Sequence, residues 1–191
     1  MKRLLILLLT LPFLLGISVP KDLVESTQKS IVKLEYRTGP NNEDLYTCTG
    51  FVVSAVLGDV LTAAHCLPKD PNNILYINGE VAKTIRTSES LALVRITPFN
   101  MPALTVRRED PRLGEEAISF GYAWRQFTVF NRNVAALLGS DIGLDGPLAP
   151  GMSGGPIVDL SGKVIAINQA TNEVVGLACG AEEIREFLEN K

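Results

Sequence analysis

The strongest constraint on the fold of this chain is a succession of about ten short runs rich in β-branched and aromatic residues. In the first run, SIVKLEY, apolar and polar residues alternate, so that Val32, Leu34 and Tyr36 share one face and Ile31 lies on the other. A period of two is typical of a β-strand that is buried on one face. Many short strands with few helices predict an all-β protein, built either as a sandwich or as closed barrels.

Turn residues between the runs indicate hairpins. Asn78-Gly79 separates ILYI from EVAKTI, and Ser161-Gly162 separates PIVDL from KVIAI. Such dipeptides favour the tight turns that join antiparallel strands. The stretch TPFNMPALTVRREDPRLG, residues 97–114, contains three prolines and breaks the alternation. It is therefore the best candidate for a linker between two β units.

Two helices are predicted at the ends of the β-rich region. Near its start, DLVESTQK has Asp22 as an expected N-cap and Glu25 three residues later, as in a capping box. At its end, AEEIREFLENK places Ile184, Phe187 and Leu188 on one helical face. We therefore expect a short helix at each end.

The N-terminal block MKRLLILLLTLPFLLGIS has the features of an export signal. Two basic residues precede an apolar run, and Gly16 and Ser18 are small residues at the spacing that a signal peptidase reads. The run is short for a membrane-spanning helix, and Pro12 interrupts it. We expect residues 1–18 to be a signal peptide, with an uncleaved membrane anchor as the alternative. The mature chain is then secreted or periplasmic.

Composition narrows the classes of function. The formal net charge of -3, with 20% charged residues, gives no basic footprint for nucleic acid. The chain has three cysteines, and oxidising conditions outside the cell would permit a disulfide and leave one thiol over. No metal or cofactor motif is present, and a single histidine makes a zinc site unexpected.

Two motifs point to nucleophilic chemistry. In GMSGGP, glycines flank Ser153 and let the backbone aim the N–H groups of Gly151 and Ser153 at one point, as an oxyanion hole requires. A serine hydroxyl also needs an adjacent base. His65, at the end of DVLTAAHC, is the only histidine, so any histidine-based chemistry must use it. The alternative is a glycine-rich turn with an idle serine and a structural histidine.

The segments CTGFVVSAVLGDVLTAAHC, SLALVRI and LDGPLAPGMSGGPIVDLSGKVIAINQA together resemble the trypsin-like serine peptidases, and more narrowly their HtrA-like bacterial branch. The resemblance runs from about residue 24 to residue 187. It implies two antiparallel six-stranded Greek-key β-barrels with the active site in the cleft between them. It also implies that His65 is the general base, Ser153 the nucleophile, and the amides of Gly151 and Ser153 the oxyanion hole.

One position departs from the family pattern. The family has an aspartate immediately before an apolar Leu-Ala-Leu run, and Ser90 stands there in this chain. A serine carries no charge, and neutralising the aspartate of a trypsin-type triad lowers turnover about 10⁴-fold. Glu89 is one residue away and would face the other side of a strand, unless a bulge turned it inward. We expect Ser90, or a bulged Glu89, to support His65 in a weakened or selective enzyme.

The resemblance also suggests a disulfide. Cys48 and Cys66 correspond to a bridged pair of the eukaryotic trypsin-like enzymes, with two buried free thiols as the alternative. Cys179 is then unpaired, and we expect it to be buried, with an intermolecular bridge as the alternative.

Substrate choice is predicted from the same resemblance. Pro147 stands near the place where a trypsin-like pocket has an aspartate, and the other wall is expected to comprise Ala166, Ile167, Asn168 and Gln169. We therefore predict small to medium apolar side chains before the scissile bond.

The expected organisation is a signal or anchor followed by one peptidase domain over 19–191, without an appended PDZ domain. Within it we expect an N-terminal barrel over about 30–97, a linker over about 98–112, a C-terminal barrel over about 113–180 and a helix over about 181–190. The predicted function is an exported serine endopeptidase acting on proteins or peptides. The alternatives are an inactive homologue that binds peptides, and an esterase on the same scaffold. Membrane contact is expected only through an uncleaved N-terminal segment.

Overall fold

The computed structural model describes residues 19–38, 43–98, 100–171 and 174–190, so the predicted signal segment lies outside the described residues. Helix α1 spans Lys21–Gln28, helix α2 spans Ala181–Glu189, and a 3-10 turn covers Ala64–Cys66. The strands are β1 Ile31–Thr38, β2 Asp44–Ser54, β3 Asp59–Ala63, β4 Tyr76–Ile77, β5 Glu80–Val81, β6 Lys83–Thr87, β7 Leu91–Arg95, β8 Glu116–Ala123, β9 Gln126–Leu138, β10 Asp141–Leu144, β11 Pro156–Val158, β12 Val164–Thr171 and β13 Gly176–Gly180.

The strands form two antiparallel sheets. The first seven make a half-barrel in the order β5-β4-β1-β2-β3-β7-β6, and the last six close into a barrel in the order β10-β13-β12-β11-β8-β9. Buried side chains from the half-barrel, such as Phe51 and Leu61, share a core with Phe120 and Ile167 of the closed barrel. The predicted all-β fold of two β units with a short C-terminal helix is therefore confirmed.

Several local predictions can be compared with the structure. Asn78-Gly79 forms the hairpin turn between β4 and β5, and both residues have positive φ. Ser161-Gly162 lies in the turn between β11 and β12. The predicted Asp22 cap is wrong, because α1 has Pro20 at its N-cap and makes no side-chain cap hydrogen bond. Asp22 instead lies in the first turn, where the helix dipole favours a negative charge.

The turn between β8 and β9 is strained. The two strands pair from Glu116↔Asn133 to Ala123↔Gln126, which leaves Trp124 and Arg125 as a two-residue loop with φ of 47° and 70°. Turns of this geometry strongly favour Asn-Gly, because other residues bring Cβ too close to the backbone. Each left-handed residue of this kind costs about 1–2 kcal/mol.

Within the described residues, no helix has both the length and the apolar character that a membrane crossing demands.

Cys179 is free and buried, as expected. Burial raises the pKa of its thiol, and the nearby Glu183 raises it further.

Cys48 and Cys66 form a disulfide, with Cα atoms 5.9 Å apart, as the resemblance implied. It joins β2 to the 3-10 turn across a sequence separation of 18 residues. Closing a loop of this size removes conformational entropy from the unfolded chain and stabilises a fold by about 3 kcal/mol.

We predict that the Cys48→Ala/Cys66→Ala double variant loses about 3 kcal/mol of unfolding free energy, because the unfolded chain regains that entropy. Urea titration of both proteins, with and without a reducing agent, measures the loss. The reductant should bring the wild-type protein close to the double variant and leave the variant itself unchanged. A wild-type midpoint insensitive to complete reduction would contradict the prediction.

Candidate active site

His65 lies in the 3-10 turn that follows β3. The turn is held against the start of β7, because the Ala64 amide donates to the Ser90 carbonyl at 2.9 Å. A ring nitrogen of His65 lies within 4.8 Å of both sulfurs of the disulfide. His65 keeps part of its surface exposed, and its imidazole makes no hydrogen bond with any described residue. It is therefore fixed at its backbone and free at its ring.

The electrostatic setting of His65 favours the neutral imidazole. Partial burial lowers its pKa below the ordinary histidine value, because desolvation disfavours the charged ring. A neighbouring carboxylate would act in the opposite direction, and none contributes to the shift. A neutral ring is the form that accepts a proton, which the predicted role of His65 as a general base requires.

Ser153 lies in a loop that Thr49 holds from the other sheet. The Thr49 amide donates to the Ser153 carbonyl at 2.9 Å, and its hydroxyl donates to the Gly151 carbonyl at 2.7 Å. The same hydroxyl accepts from the Tyr122 amide at 2.9 Å, and the Thr49 carbonyl accepts from Thr62 Oγ1 at 2.7 Å. The amide and hydroxyl of one buried threonine thus hold the loop, while Thr62 and Tyr122 hold that threonine.

The glycines of the loop are required by its geometry. Gly151 has φ of 95° and Gly154 has φ of 81°, a region that favours glycine. A Cβ on Gly151 would overlap the Tyr122 carbonyl, and one on Gly154 would overlap the Thr49 carbonyl and Thr62 Oγ1. Sequence GMSGGP therefore fits this loop for steric as well as conformational reasons.

The amides of Gly151 and Ser153 are available to a ligand. The Gly151 carbonyl is turned inward towards Thr49, and neither amide donates to any group within the described ranges. Two free N–H groups beside a serine hydroxyl are what the oxyanion-hole hypothesis requires.

The Ser153 hydroxyl donates to the Gln169 carbonyl at 3.1 Å, and no hydrogen bond joins it to His65 in this structure. The Gln169 side chain donates in turn from Nε2 to the Ser90 carbonyl at 2.9 Å. Gln169 therefore bridges the Ser153 loop and the backbone beside His65. Sequence reasoning placed Gln169 only in a pocket wall, and its bridging role across a sequence separation of 79 residues carries no local signal.

The side chains of Ser90 and Glu89 form no hydrogen bond or ion pair with His65 in this structure. Ser90 is half-buried and takes part through its carbonyl, while its hydroxyl makes no hydrogen bond with a described residue. Glu89 is exposed, in a tight turn where the Leu91 amide donates to Ser88 Oγ at 3.0 Å. Support of the base by either side chain stays a prediction.

The predicted substrate pocket is largely interior. Ala166, Ile167 and Asn168 are fully buried in the closed barrel, and Asn168 Oδ1 accepts from Ser119 Oγ at 3.0 Å. The exposed part of β12 comprises the residues that follow Gln169. Pro147 is exposed, and its carbonyl accepts from Arg132 at 2.8 Å. Their part in substrate choice stays a prediction.

One group of side chains has the composition of a metal site. Ligand atoms of Cys48, His65 and Cys66 cluster within 4.8 Å of one another. The two sulfurs are bonded to each other, so neither is a thiolate, the form of cysteine that binds metals. Cys66 Sγ also lies 3.5 Å from the Ser153 carbonyl, a packing contact because the oxidised sulfur carries no proton.

The sequence and fold match known proteins. A family model described as a trypsin-like peptidase domain matches residues 48–167, more than half of the chain. The chain is 29% identical over 195 residues to the serine protease HTRA4 of Mus musculus, covering 87% of this chain and 40% of the relative. It is 27% identical over 179 residues to the putative serine protease HhoB of Synechocystis sp., covering 82% of this chain and 42% of the relative.

The chain thus spans about 40% of the length of the curated relatives that it matches. Among solved structures, it resembles the active form of the Rv3671c protease from M. tuberculosis with a TM-score of 0.74 and 22% identity. That match covers 89% of this chain and 84% of the other, and it supports the fold.

We predict that Gly154→Ala destabilises the fold more than Gly139→Ala does. Both glycines have positive φ, 81° and 73°, so both variants pay a similar backbone penalty of about 1–2 kcal/mol. A Cβ at residue 139 meets nothing within 4 Å, whereas one at residue 154 overlaps Thr49 and Thr62. Urea titration measures both free energies of unfolding. Equal losses would show that the close approach of the loop to Thr49 is wrong.

Proposed function

Because this chain belongs to the trypsin-like peptidase family, we propose that it is an exported serine endopeptidase with Ser153 as nucleophile and His65 as general base. The observation that carries the proposal is the loop around Ser153, in which the Gly151 and Ser153 amides are unpaired beside the hydroxyl. The serine protease homologues support protein or peptide substrates. The activity and substrates of a whole protein that includes this chain are part of the proposal.

The reaction begins with a change of hydrogen-bond partner. Ser153 Oγ–H turns from the Gln169 carbonyl towards the imidazole, gives its proton to His65, and attacks the substrate carbonyl carbon. The Gly151 and Ser153 amides stabilise the resulting oxyanion. When the C–N bond breaks, His65 passes the proton to the departing amine and Ser153 is acylated. Water, deprotonated by His65, then releases the acid and restores the hydroxyl.

The base works without an aspartate in this proposal. Ser90 stands at the aspartate position, so no charge stabilises the imidazolium that forms during attack. The Gln169–Ser90 and Ala64–Ser90 hydrogen bonds keep the backbone beside His65 in place, which retains orientation without charge. The expected enzyme is therefore slower than one with a complete triad.

Two further elements belong to the proposal. Export is supported by the N-terminal block of basic and apolar residues and by the Cys48–Cys66 disulfide, since disulfides persist in oxidising compartments. Small to medium apolar side chains before the scissile bond remain our expectation, since Pro147 offers no charge to a basic side chain.

A second candidate function is a peptide-binding module without catalysis. Ser90 at the aspartate position and the missing hydrogen bond between Ser153 and His65 favour it. Such a module would keep the exposed end of β12 for an extended peptide and need no working base.

We expect an active-serine phosphonate to form a covalent adduct with the mature protein, since an activated hydroxyl attacks phosphorus as it attacks a carbonyl. Ser153→Ala and His65→Ala should each slow labelling about 10³-fold or more. Intact-mass spectrometry measures the adduct over time. Ser26→Ala, which removes an exposed serine of α1, should label at the wild-type rate. A folded, disulfide-bonded protein that does not label would favour the binding module.

The labelling rate should stay high to a pH below the ordinary histidine value of about 6.5. Labelling needs neutral His65, and burial lowers its pKa, so the rate falls only as the pH drops through that lowered pKa. Ser90→Asp should raise the pH-independent rate and move the fall to higher pH, because a carboxylate favours the imidazolium. Phosphonate labelling from pH 4 to pH 9, roughly the range of protein stability, measures both.

Ser88→Asp is the matched control, since it adds the same charge in the exposed turn two residues away. A Ser90→Asp profile no different from that of Ser88→Asp would contradict the assignment of residue 90. Loss of labelling in Glu89→Gln, with none in Ser90→Ala, would instead assign the supporting role to Glu89.

A further inference from the structure

A cavity of about 290 Å³ opens directly beside Ser153, on the side of the disulfide. Two exposed aromatic side chains, Tyr46 from β2 and Trp124 from the β8–β9 turn, line it together with Arg125, Cys48 and Pro150. Tyr46 is 42% exposed and Trp124 is 68% exposed, so both rings have surface available to a ligand.

The chemistry of the site decides which half of a substrate this cavity faces. His65 must reach the nitrogen of the departing amine to give it a proton, so the leaving group lies on the histidine side of Ser153. A ring nitrogen of His65 lies within 4.8 Å of Cys48 Sγ, and Cys48 lines the cavity. The exposed end of β12 contributes no residue to its lining. The cavity therefore faces the residues that follow the scissile bond.

The strained turn provides independent support for a role in binding. Trp124 and Arg125 both have positive φ in a two-residue loop where Asn-Gly is favoured. Backbone strain of this kind is concentrated at functional sites, where the surrounding structure compensates for it. Here both residues that carry the strain line the cavity.

The positive charge of Arg125 has no ion-pair partner among the described residues. Arg125 is exposed, and its guanidinium makes one hydrogen bond with a described residue, a long one of 3.5 Å from Nη2 to the Leu45 carbonyl. No carboxylate of the described chain lies within ion-pair distance of its guanidinium. A ligand that brings a carboxylate to this position gains an ion pair that the protein alone does not form.

We propose that this cavity selects substrates with an aromatic residue directly after the scissile bond and an acidic residue next to it. The aromatic ring packs between Tyr46 and Trp124, and the carboxylate pairs with Arg125. The inference rests on the proposed function, since it names the leaving-group half of the substrate of that same site.

Trp124 is the only tryptophan of the chain, so its fluorescence reports on this cavity alone. The test titrates Ser153→Ala protein with the amidated tripeptides Phe-Glu-Gly, Phe-Lys-Gly and Gly-Glu-Gly, which present the released end of a product. We expect Phe-Glu-Gly to change the fluorescence at the lowest concentration. The advantage over Phe-Lys-Gly should be about two- to five-fold, as for an exposed ion pair, and should shrink in high salt. Equal affinities for all three peptides would overturn the proposal.

Charge reversal supplies the matched controls. Adding Arg125→Glu to the Ser153→Ala protein should invert the preference to Phe-Lys-Gly, whereas Arg112→Glu, an equal charge change in the exposed linker, should leave it unchanged. An inversion in both variants would mean a general field effect and would overturn the assignment to Arg125.

The Arg125→Gly variant removes the guanidinium, suits the left-handed turn and keeps Trp124 as the fluorescent reporter. Glycine tolerates a φ of 70°, so the urea midpoint should rise while the preference for Phe-Glu-Gly over Phe-Lys-Gly disappears. A variant that keeps the preference would overturn the proposal. The outcome is independent of catalysis, because Ser153→Ala cannot react. If phosphonate labelling fails, the proposed peptidase activity is rejected. These titrations still test whether the cavity prefers an aromatic residue followed by an acidic one.

Discussion

Thr49 is the single residue on which the geometry of the site depends most. Its amide and hydroxyl donate to two carbonyls of the Ser153 loop, and its own carbonyl and hydroxyl accept from Thr62 and Tyr122. Thr49 is fully buried, so each of these hydrogen bonds replaces one that water would make if the group were exposed. Turning the Gly151 carbonyl towards Thr49 leaves the two loop amides unpaired. The arrangement of these two amides therefore depends on the hydrogen bonds between one residue of the half-barrel and a loop of the closed barrel.

The turn that bears His65 is held by the disulfide and by backbone hydrogen bonds. Thr49 follows Cys48, and the disulfide ties that segment to the turn bearing His65, so His65 and the Ser153 loop share one anchoring point on β2. A triad aspartate would add a charge to this arrangement. In its absence the backbone beside His65 is fixed by neutral hydrogen bonds to the Ser90 carbonyl. In the proposed mechanism, the position of His65 is therefore kept without a charge that stabilises the imidazolium.

Sequence patterns predicted the parts of this structure that local chemistry determines. The alternation in SIVKLEY and the Asn78-Gly79 turn correspond to β1 and to the β4–β5 hairpin, because strand period and turn type depend on neighbouring residues. The Gln169 bridge was not predictable in this way, since its partner Ser90 is brought close only by the packing of two sheets. Asp22 failed as a cap because Pro20, with its fixed φ, begins the helix earlier.

The left-handed turn at Trp124 and Arg125 was also not predictable from the sequence. Neither residue type favours a left-handed turn, so local propensity argues against the turn that the pairing of β8 with β9 imposes. The Trp124 amide donates to the Pro150 carbonyl at 2.9 Å, and the chain reaches Gly151 one residue later. A residue larger than glycine at that point would meet the Tyr122 carbonyl of the same turn. The turn thus supports the Ser153 loop with its backbone and lines the neighbouring cavity, so a ligand in the cavity would contact the element that holds the Gly151 and Ser153 amides in place.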